Sequence, residues 1–378
     1  MRKALLLPAA LIHVAVAYGA SDVTPFTAVE QLAHLEEPEQ RVWAESADVD
    51  KALSRSGRLM NDAAVDEYLQ ALVNRLFPDV ARAVRVRAIR DPEMNAFCMP
   101  NGSVYMNLGM LSRLRNEGQL ATILAHEGSH FTHRHGFQQR TRAITTAAIM
   151  QVTAFAGLGG AVLGNLIGLS SIQGFSRDHE READRAGFRR LVDAGFDYRE
   201  SPRVFEMLAA ESQALAMKEP YFFASHPALK DRIASFQDLI GNTVTAMPGS
   251  DEARFRSIVT RVHRSWYELE IAKGRGDRLI HVLTQPGAGE FYGAESSYYL
   301  GEAYRVQGNK ADEPKMLEAY RMAMSTAPRF APSFLALGVH YYKQKDCRQA
   351  SPLLSTYLEL EPAGAMSAHA RRFLDKCK

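Results

Sequence analysis

The sequence predicts an α+β, mostly helical chain in two parts, the first carrying a small β-sheet and the second all-α. Three observations lead there. The hydrophobic period changes from helical to alternating over residues 84–90, and a Pro-Asn-Gly turn follows at 100–102. Helical spacing then returns. A motif of about 34 residues recurs in the last part of the chain. The length of 378 residues suits two domains, and 46% hydrophobic with 23% charged residues is an ordinary globular composition. Lys+Arg at 45 nearly balance Asp+Glu at 43, with no long basic run, which excludes a nucleic-acid footprint.

Residues 1–20, MRKALLLPAALIHVAVAYGA, open with Arg2 and Lys3, stay uncharged from Ala4 to Ala17 and reach the small-residue triplet Ala15, Val16, Ala17. This is the layout of a secretory signal peptide, too short to span a bilayer, so cleavage and export are expected. An oxidising compartment would allow one disulfide among Cys98, Cys347 and Cys377. The first domain is then residues 21–240. Residues 24–83 read as helices, with Leu59, Ala63, Val65, Leu69, Leu72 and Leu76 near helical spacing. VRVRAIR, residues 84–90, alternates as a half-buried strand does, and residues 95–107 read as a hairpin about Pro100, Asn101 and Gly102. Asn116, Glu117 and Gly118 introduce a helix reaching about residue 140, its buried side made by Leu120, Ile123, Leu124 and Phe131.

From Ala143 to Ser176 there is no charge. Length and apolarity alone permit a membrane span, but five glycines from Gly157 to Gly168 and interspersed polar residues suit a buried or flap-like helical pair. Such a run also suits peripheral membrane contact. A further helix begins near Asp178, and residues 241–253 read as a linker. Residues 254–378 are expected to be helical, with tetratricopeptide (TPR) repeats. Counting Ala331 as the first position places Phe334, Leu337, Gly338, Tyr341, Ala350 and Pro362 in that pattern, and an earlier copy has Leu300, Gly301, Tyr304 and Pro328. Stacked units of this kind present a concave surface to protein partners.

The chemistry is concentrated in LAHEGSHFTHRHG, residues 124–136. On a helix, His126 and His130 share a face and can aim ring nitrogens at one cation. Glu127 follows the first histidine, where zinc peptidases keep the base that takes a proton from activated water. The competing reading is a solvated helix face. Leu120, Ile123 and Leu124 oppose it, and Gly128 costs about 1 kcal/mol in a helix, which is odd for a purely structural stretch. His133 and His135 read as supporting or surface groups. A third ligand is offered by SRDHEREADRAGF, residues 176–188, where Glu180 with Asp184, or Asp178 with Glu182, are four apart. Periodicity does not choose between the pairs.

HEGSH followed by EREAD resembles the gluzincin metallopeptidases of the HtpX type, as do NAFCMPNGSVYMNLGML and SHPALKDRI. With a signal peptide ahead and TPR units behind, the chain is similar to the BepA-type periplasmic proteases that attend outer-membrane β-barrel assembly. The resemblance implies a zincin-type metallopeptidase domain followed by an all-α TPR domain. It implies one Zn2+ held by His126, His130 and Glu180, with Glu127 as general base and Asp184 orienting His126. His226 and Arg232 become candidate oxyanion donors, and His226 a candidate fourth ligand that keeps the enzyme latent. The hairpin strand Ser103, Val104, Tyr105, Met106 and Asn107 is expected to add substrate as an extra strand, a mode suited to unfolded or misassembled proteins. The TPR tail is expected to dock protein partners, with the outer-membrane assembly machinery as the implied one. Cys347 and Cys377 fall at the same end of the helical stack, so a disulfide is expected there. The rival expectation is a periplasmic chaperone or scaffold whose zinc is structural.

Overall fold

The structure is a computed structural model that describes residues 23–80, 82–140, 175–216, 226, 229–243 and 251–377. The expected signal peptide, nearly all of the uncharged run and the middle of the linker lie outside the described residues. Helix α1 (Glu37–Arg55) starts at a proline, which has no amide proton to leave unpaired, and α2 (Ala63–Leu76) is capped by the Asp62 carboxylate accepting from the amides of Ala64 and Val65. Three strands follow: β1 (Arg85–Ile89), β2 (Ala96–Cys98) and β3 (Ser103–Asn107). Gly102 turns the chain between β2 and β3 at φ +82°, and a Cβ there would lie 2.4 Å from the Ala83 carbonyl oxygen.

The sheet order is β1-β3-β2, with β3 parallel to β1 and antiparallel to β2. Residues 103–107 are therefore hydrogen-bonded on both sides, and all five are buried. This corrects the expectation that Ser103, Val104, Tyr105, Met106 and Asn107 form an edge for substrate. A hairpin pattern reveals two neighbouring strands but not which of them a third strand joins, and β1 joins the second. The terminal strand that packs on α4 is β2. The Asn107 amide bonds to the Asn95 carbonyl and the Met99 amide to the Ser103 carbonyl, so the alternation directs the main-chain groups of Ala96 and Cys98 away from β3.

After a short helix α3 (Leu108–Leu111) comes α4 (Glu117–Thr132), capped by the Asn116 side chain and buried at every residue. One face of the sheet packs on α4. The other is covered by α1, where Leu53, Leu59, Ile89, Met99 and Tyr105 cluster and Asp50 accepts hydrogen bonds from Asn101, Ser103 and Tyr105. Helices α5 (Arg177–Asp193), α6 (Ser201–Ala214) and α7 (Leu229–Gly241) complete the shell around α4.

The remaining described chain is helical: α8 (Glu252–Ala272), α9 (Gly276–Leu283), α10 (Ala288–Tyr292), α11 (Ser296–Gln307), α12 (Glu313–Thr326), α13 (Ala331–Lys343), α14 (Cys347–Leu360) and α15 (Ser367–Lys376). Consecutive helices pair closely because Gly301 faces the Tyr320 ring and Gly338 faces Leu354. Phe255, Val262 and Trp266 of α8 belong to the same apolar core as α2 and α4. Arg113, fully buried over the Trp266 ring, bonds Glu211 of α6 at 2.9 Å and lies 3.6 Å from Glu270 of α8. Glu93, just before β2, pairs with Arg275 and Arg278. Cys347 and Cys377 are joined in a disulfide, and Cys98 is free and buried. Among the described residues no helix is long and apolar enough to cross a membrane.

Candidate metal centre

Two helices in backbone contact build the site. Gly187 of α5 lies where a Cβ would come within 3.1 to 3.2 Å of the main chain at Ala125 and His126, so its lack of a side chain permits the crossing. That approach sets Glu180 and Asp184 of α5 against His126 and His130 of α4. It also decides between the two acidic pairs. Glu180 and Asp184 are buried, whereas the side chains of Asp178 and Glu182 are 86% and 53% exposed.

Nε2 of His126 lies 3.0 Å from Nε2 of His130 and 3.5 Å from a Glu180 oxygen, and His130 Nε2 is 3.5 Å from the other. His226 joins them, its Nδ1 at 3.2 Å from His126 Nε2 and 2.9 Å from Glu180. One ligand atom from each of the four lies within 4.8 Å of the others. A tetrahedral zinc with bonds of about 2.1 Å separates its ligands by about 3.4 Å, so the donor spacing fits that ion.

The protonation states fit as well. Burial and the neighbouring Arg232 lower the His126 pKa to about 4, and burial with the adjacent imidazoles lowers His130 well below its usual value, so both are neutral donors. Burial opposes ionisation of Glu180 and Asp184, but their hydrogen-bonded and charged partners outweigh it. His226 and Arg232 lower Glu180, and Arg232 with His126 bring Asp184 down to about 2. Two neutral imidazoles and a carboxylate are what a divalent cation needs. Glu127 is different: burial raises it to about 7, the range of a general base working near neutrality. Its carboxylate is 3.5 Å from His226 Nε2.

Asp184 accepts the Nδ1 proton of His126 at 2.9 Å, which fixes that ring's tautomer. Arg232 pairs with the carboxylates of α5. Its Nε and Nη2 hold Asp184 at 3.0 and 2.6 Å, its Nη1 is 3.3 Å from Glu180, and its plane packs over Phe205. These contacts give Arg232 a positioning role toward Asp184 and Glu180, beside the oxyanion role expected of it. His135 was legible only as a supporting or surface group, yet it is wholly buried with Nδ1 3.0 Å from His130 Nδ1. Phe175, whose ring stacks on His130 at 3.8 Å, gave no sequence signal.

A helix with two histidine donors and a base between them, completed by a carboxylate from a second helix, defines a metallopeptidase domain. Comparison with known proteins gives its kind. Residues 62–240 match the model of Peptidase family M48. The beta-barrel assembly-enhancing protease of Escherichia coli (strain K12) is 30% identical over 285 residues, 70% of this chain and 56% of that protein. Its namesake in Yersinia pestis is 30% identical over 204 residues, 49% of this chain and 40% of the relative. The mitochondrial metalloendopeptidase OMA1 of Schizosaccharomyces pombe is 33% identical over 170 residues, 44% and 49% respectively. The chain spans about half the length of the curated relatives it matches. Residues 62–240 are thus similar to metallopeptidases, and their donor set suits zinc.

Proposed function

We propose that this chain is a zinc-dependent endopeptidase of the bacterial periplasm, a gluzincin of the HtpX type, that degrades misfolded or misassembled proteins, those of the outer membrane included. The observation that carries the reading is the buried set His126, His130 and Glu180 with the Glu127 carboxylate beside it. Zinc, when bound, supplies Lewis acidity that polarises a peptide carbonyl and acidifies water. Glu127 accepts the proton of the attacking water and returns it to the leaving amine. Asp184 and Arg232 hold His126 and Glu180 in place. Substrate is placed beside edge strand β2, where the main-chain groups of Ala96 and Cys98 turn away from β3 and pair with an extended peptide once its entry uncovers these buried residues, a mode that reads unfolded conformation more than sequence. The signal-peptide layout supports export, the relatives' names support a role in β-barrel assembly, and the helix pairs after residue 276, read as TPR units, supply a docking surface for assembly partners.

His226 supports a second reading. Four closed protein donors are the mark of a structural zinc, as in a chaperone or scaffold, and equally of an enzyme held latent by a removable fourth donor. The test is metal content and casein-type digestion on the mature protein, alongside Glu127→Gln and His226→Ala. A latent protease binds one zinc in wild type and Glu127→Gln, loses about 10²- to 10⁴-fold of its cleavage in the latter, and gains basal cleavage in His226→Ala. A fall in cleavage on losing His226 assigns it to the oxyanion instead. Zinc without cleavage in any form supports the structural reading. A wild type that stays metal-free after zinc supplementation overturns both.

A further inference from the structure

The second histidine donor has a support of its own, built differently from that of the first. His130 turns Nε2 toward the donor cluster, so its ring proton resides on Nδ1. That nitrogen is 3.0 Å from His135 Nδ1, which can accept only when the His135 proton is on Nε2. His135 Nε2 in turn lies 3.1 Å from Glu182 Oε2, an acceptor. Every donor in this chain meets an acceptor in a single direction, from the metal-facing nitrogen out to a half-exposed carboxylate. We propose that His135 and Glu182 form a hydrogen-bonded relay that fixes the tautomer and ring plane of His130, making both of them positioning residues for the metal.

The backbone explains how residues five apart come to meet, since five is off the helical face. Helix α4 ends at Thr132, and Arg134 adopts φ +56°, a left-handed turn that brings His135 back beside His130. A non-glycine residue in that conformation costs about 1 kcal/mol, and Arg134 is anchored there by a partly buried ion pair with Glu39 of α1. The relay is clamped sideways. His179 of α5 stacks on His135 at 4.3 Å and 12°, and Phe175 stacks on His130 at 3.8 Å and 17°. His126 leans on an arginine-held aspartate, whereas His130 leans on a neutral imidazole with the charge one ring further out. The charge at Glu182 strengthens the Nδ1–H bond of His130 without placing a fourth buried carboxylate beside Glu127, Glu180 and Asp184.

The inference rests on the zinc reading, and its test separates the two. Zinc affinity is measured by competition with a chromogenic chelator on the full mature protein, for wild type, His135→Leu, His135→Asn and Glu182→Gln, with ¹⁵N ring shifts of His130 in the zinc-loaded forms. Losing the acceptor in His135→Leu is expected to weaken zinc about 10- to 100-fold. His135→Asn, whose amide oxygen replaces Nδ1, recovers most of that loss and keeps the His130 proton on Nδ1. Glu182→Gln, at a half-exposed position that cannot disturb the core, gives a smaller loss in the same direction. Undiminished zinc affinity in His135→Leu and Glu182→Gln overturns the relay, as does an Asn variant no better than Leu. Should His135→Leu not fold, as judged by circular dichroism of the metal-free protein, Glu182→Gln and His135→Asn decide. A wild type without zinc sinks the zinc reading itself.

Discussion

Replacing Gly128 with alanine should destabilise the protein, although alanine is the better helix former. The propensity gain is about 1 kcal/mol. Against it, a Cβ at position 128 meets the Phe77 ring at 2.3 and 2.4 Å, where ordinary contact is 3.4–4 Å. The ring would have to retreat by about 1 Å, a full overpacking displacement. It has nowhere to go. Phe77 is completely buried, and the Arg190 guanidinium lies 4.3 Å over its face, tied to both Asp79 oxygens at 2.8 Å. Overpacking of this kind costs up to about 3 kcal/mol, which leaves a net loss of about 2 kcal/mol. The assay is thermal unfolding of the metal-free protein, where such a loss lowers the midpoint by about 4–8 °C. Trimming the obstacle supplies the control: in a double-mutant cycle, Gly128→Ala with Phe77→Leu should be less damaged than the sum of the single changes. A raised midpoint for Gly128→Ala, or strict additivity in the cycle, refutes the packing account of this glycine.

Three further outcomes are expected. If substrate adds to β2, an extended peptide substrate N-methylated at alternate amides should lose binding, seen as a higher KM, only for the set facing that strand; equal losses for both sets would reject strand addition. Glu93 is the ion-pair hub between the sheet and the C-terminal helices. Burial pushes its pKa up, but hydrogen bonds from Arg275 and Arg278 outweigh this and leave it below the ordinary 4.5. Its contribution is therefore present above the unfolded value and disappears as pH falls through the lowered folded value. The midpoint gap between wild type and Glu93→Gln should stay constant near neutrality and close below pH 4.5; a gap that persists in acid contradicts the assignment. Reducing Cys347–Cys377, which spans 30 residues, should remove about 3–4 kcal/mol from the C-terminal cap. Hydrogen exchange should then speed up in α15 and leave α4 unchanged; a uniform change would mean the bond acts elsewhere.

What was legible in the sequence is what a single helix determines. His126, Glu127 and His130 needed only the 3.6-residue period, and the apolar positions around them showed the helix to be buried. The third ligand was not legible from period, because Glu180/Asp184 and Asp178/Glu182 have the same spacing. The choice depends on which face of α5 meets α4, and this is set by the close crossing at Gly187. Arg232 was legible as a charged helical residue, but its pairing is a tertiary fact: it hydrogen-bonds Asp184 and lies 3.3 Å from Glu180, both on another helix. His135 was legible as a supporting or surface group, but its meeting with His130 was not, since a left-handed residue at Arg134 breaks the helical count that would have placed it.

The edge strand shows most clearly why pattern stops short of mechanism. Alternation finds strands, and Pro100-Asn101-Gly102 joins two of them, yet both members of a hairpin have an open side until a third strand takes one. Here β1 arrives in parallel beside β3, a pairing between segments separated by another strand, and no local signal encodes it. The consequence for function is direct. With β3 paired on both sides, the main-chain groups of Ala96 and Cys98 are the ones turned away from the sheet, on the strand that packs on α4; both residues are buried, so a substrate strand has to uncover them before it can pair there. A proline at Tyr105 would break the sheet itself and report on folding. Substrate addition has to be tested at β2, where the chain can lose an outward amide and keep its fold.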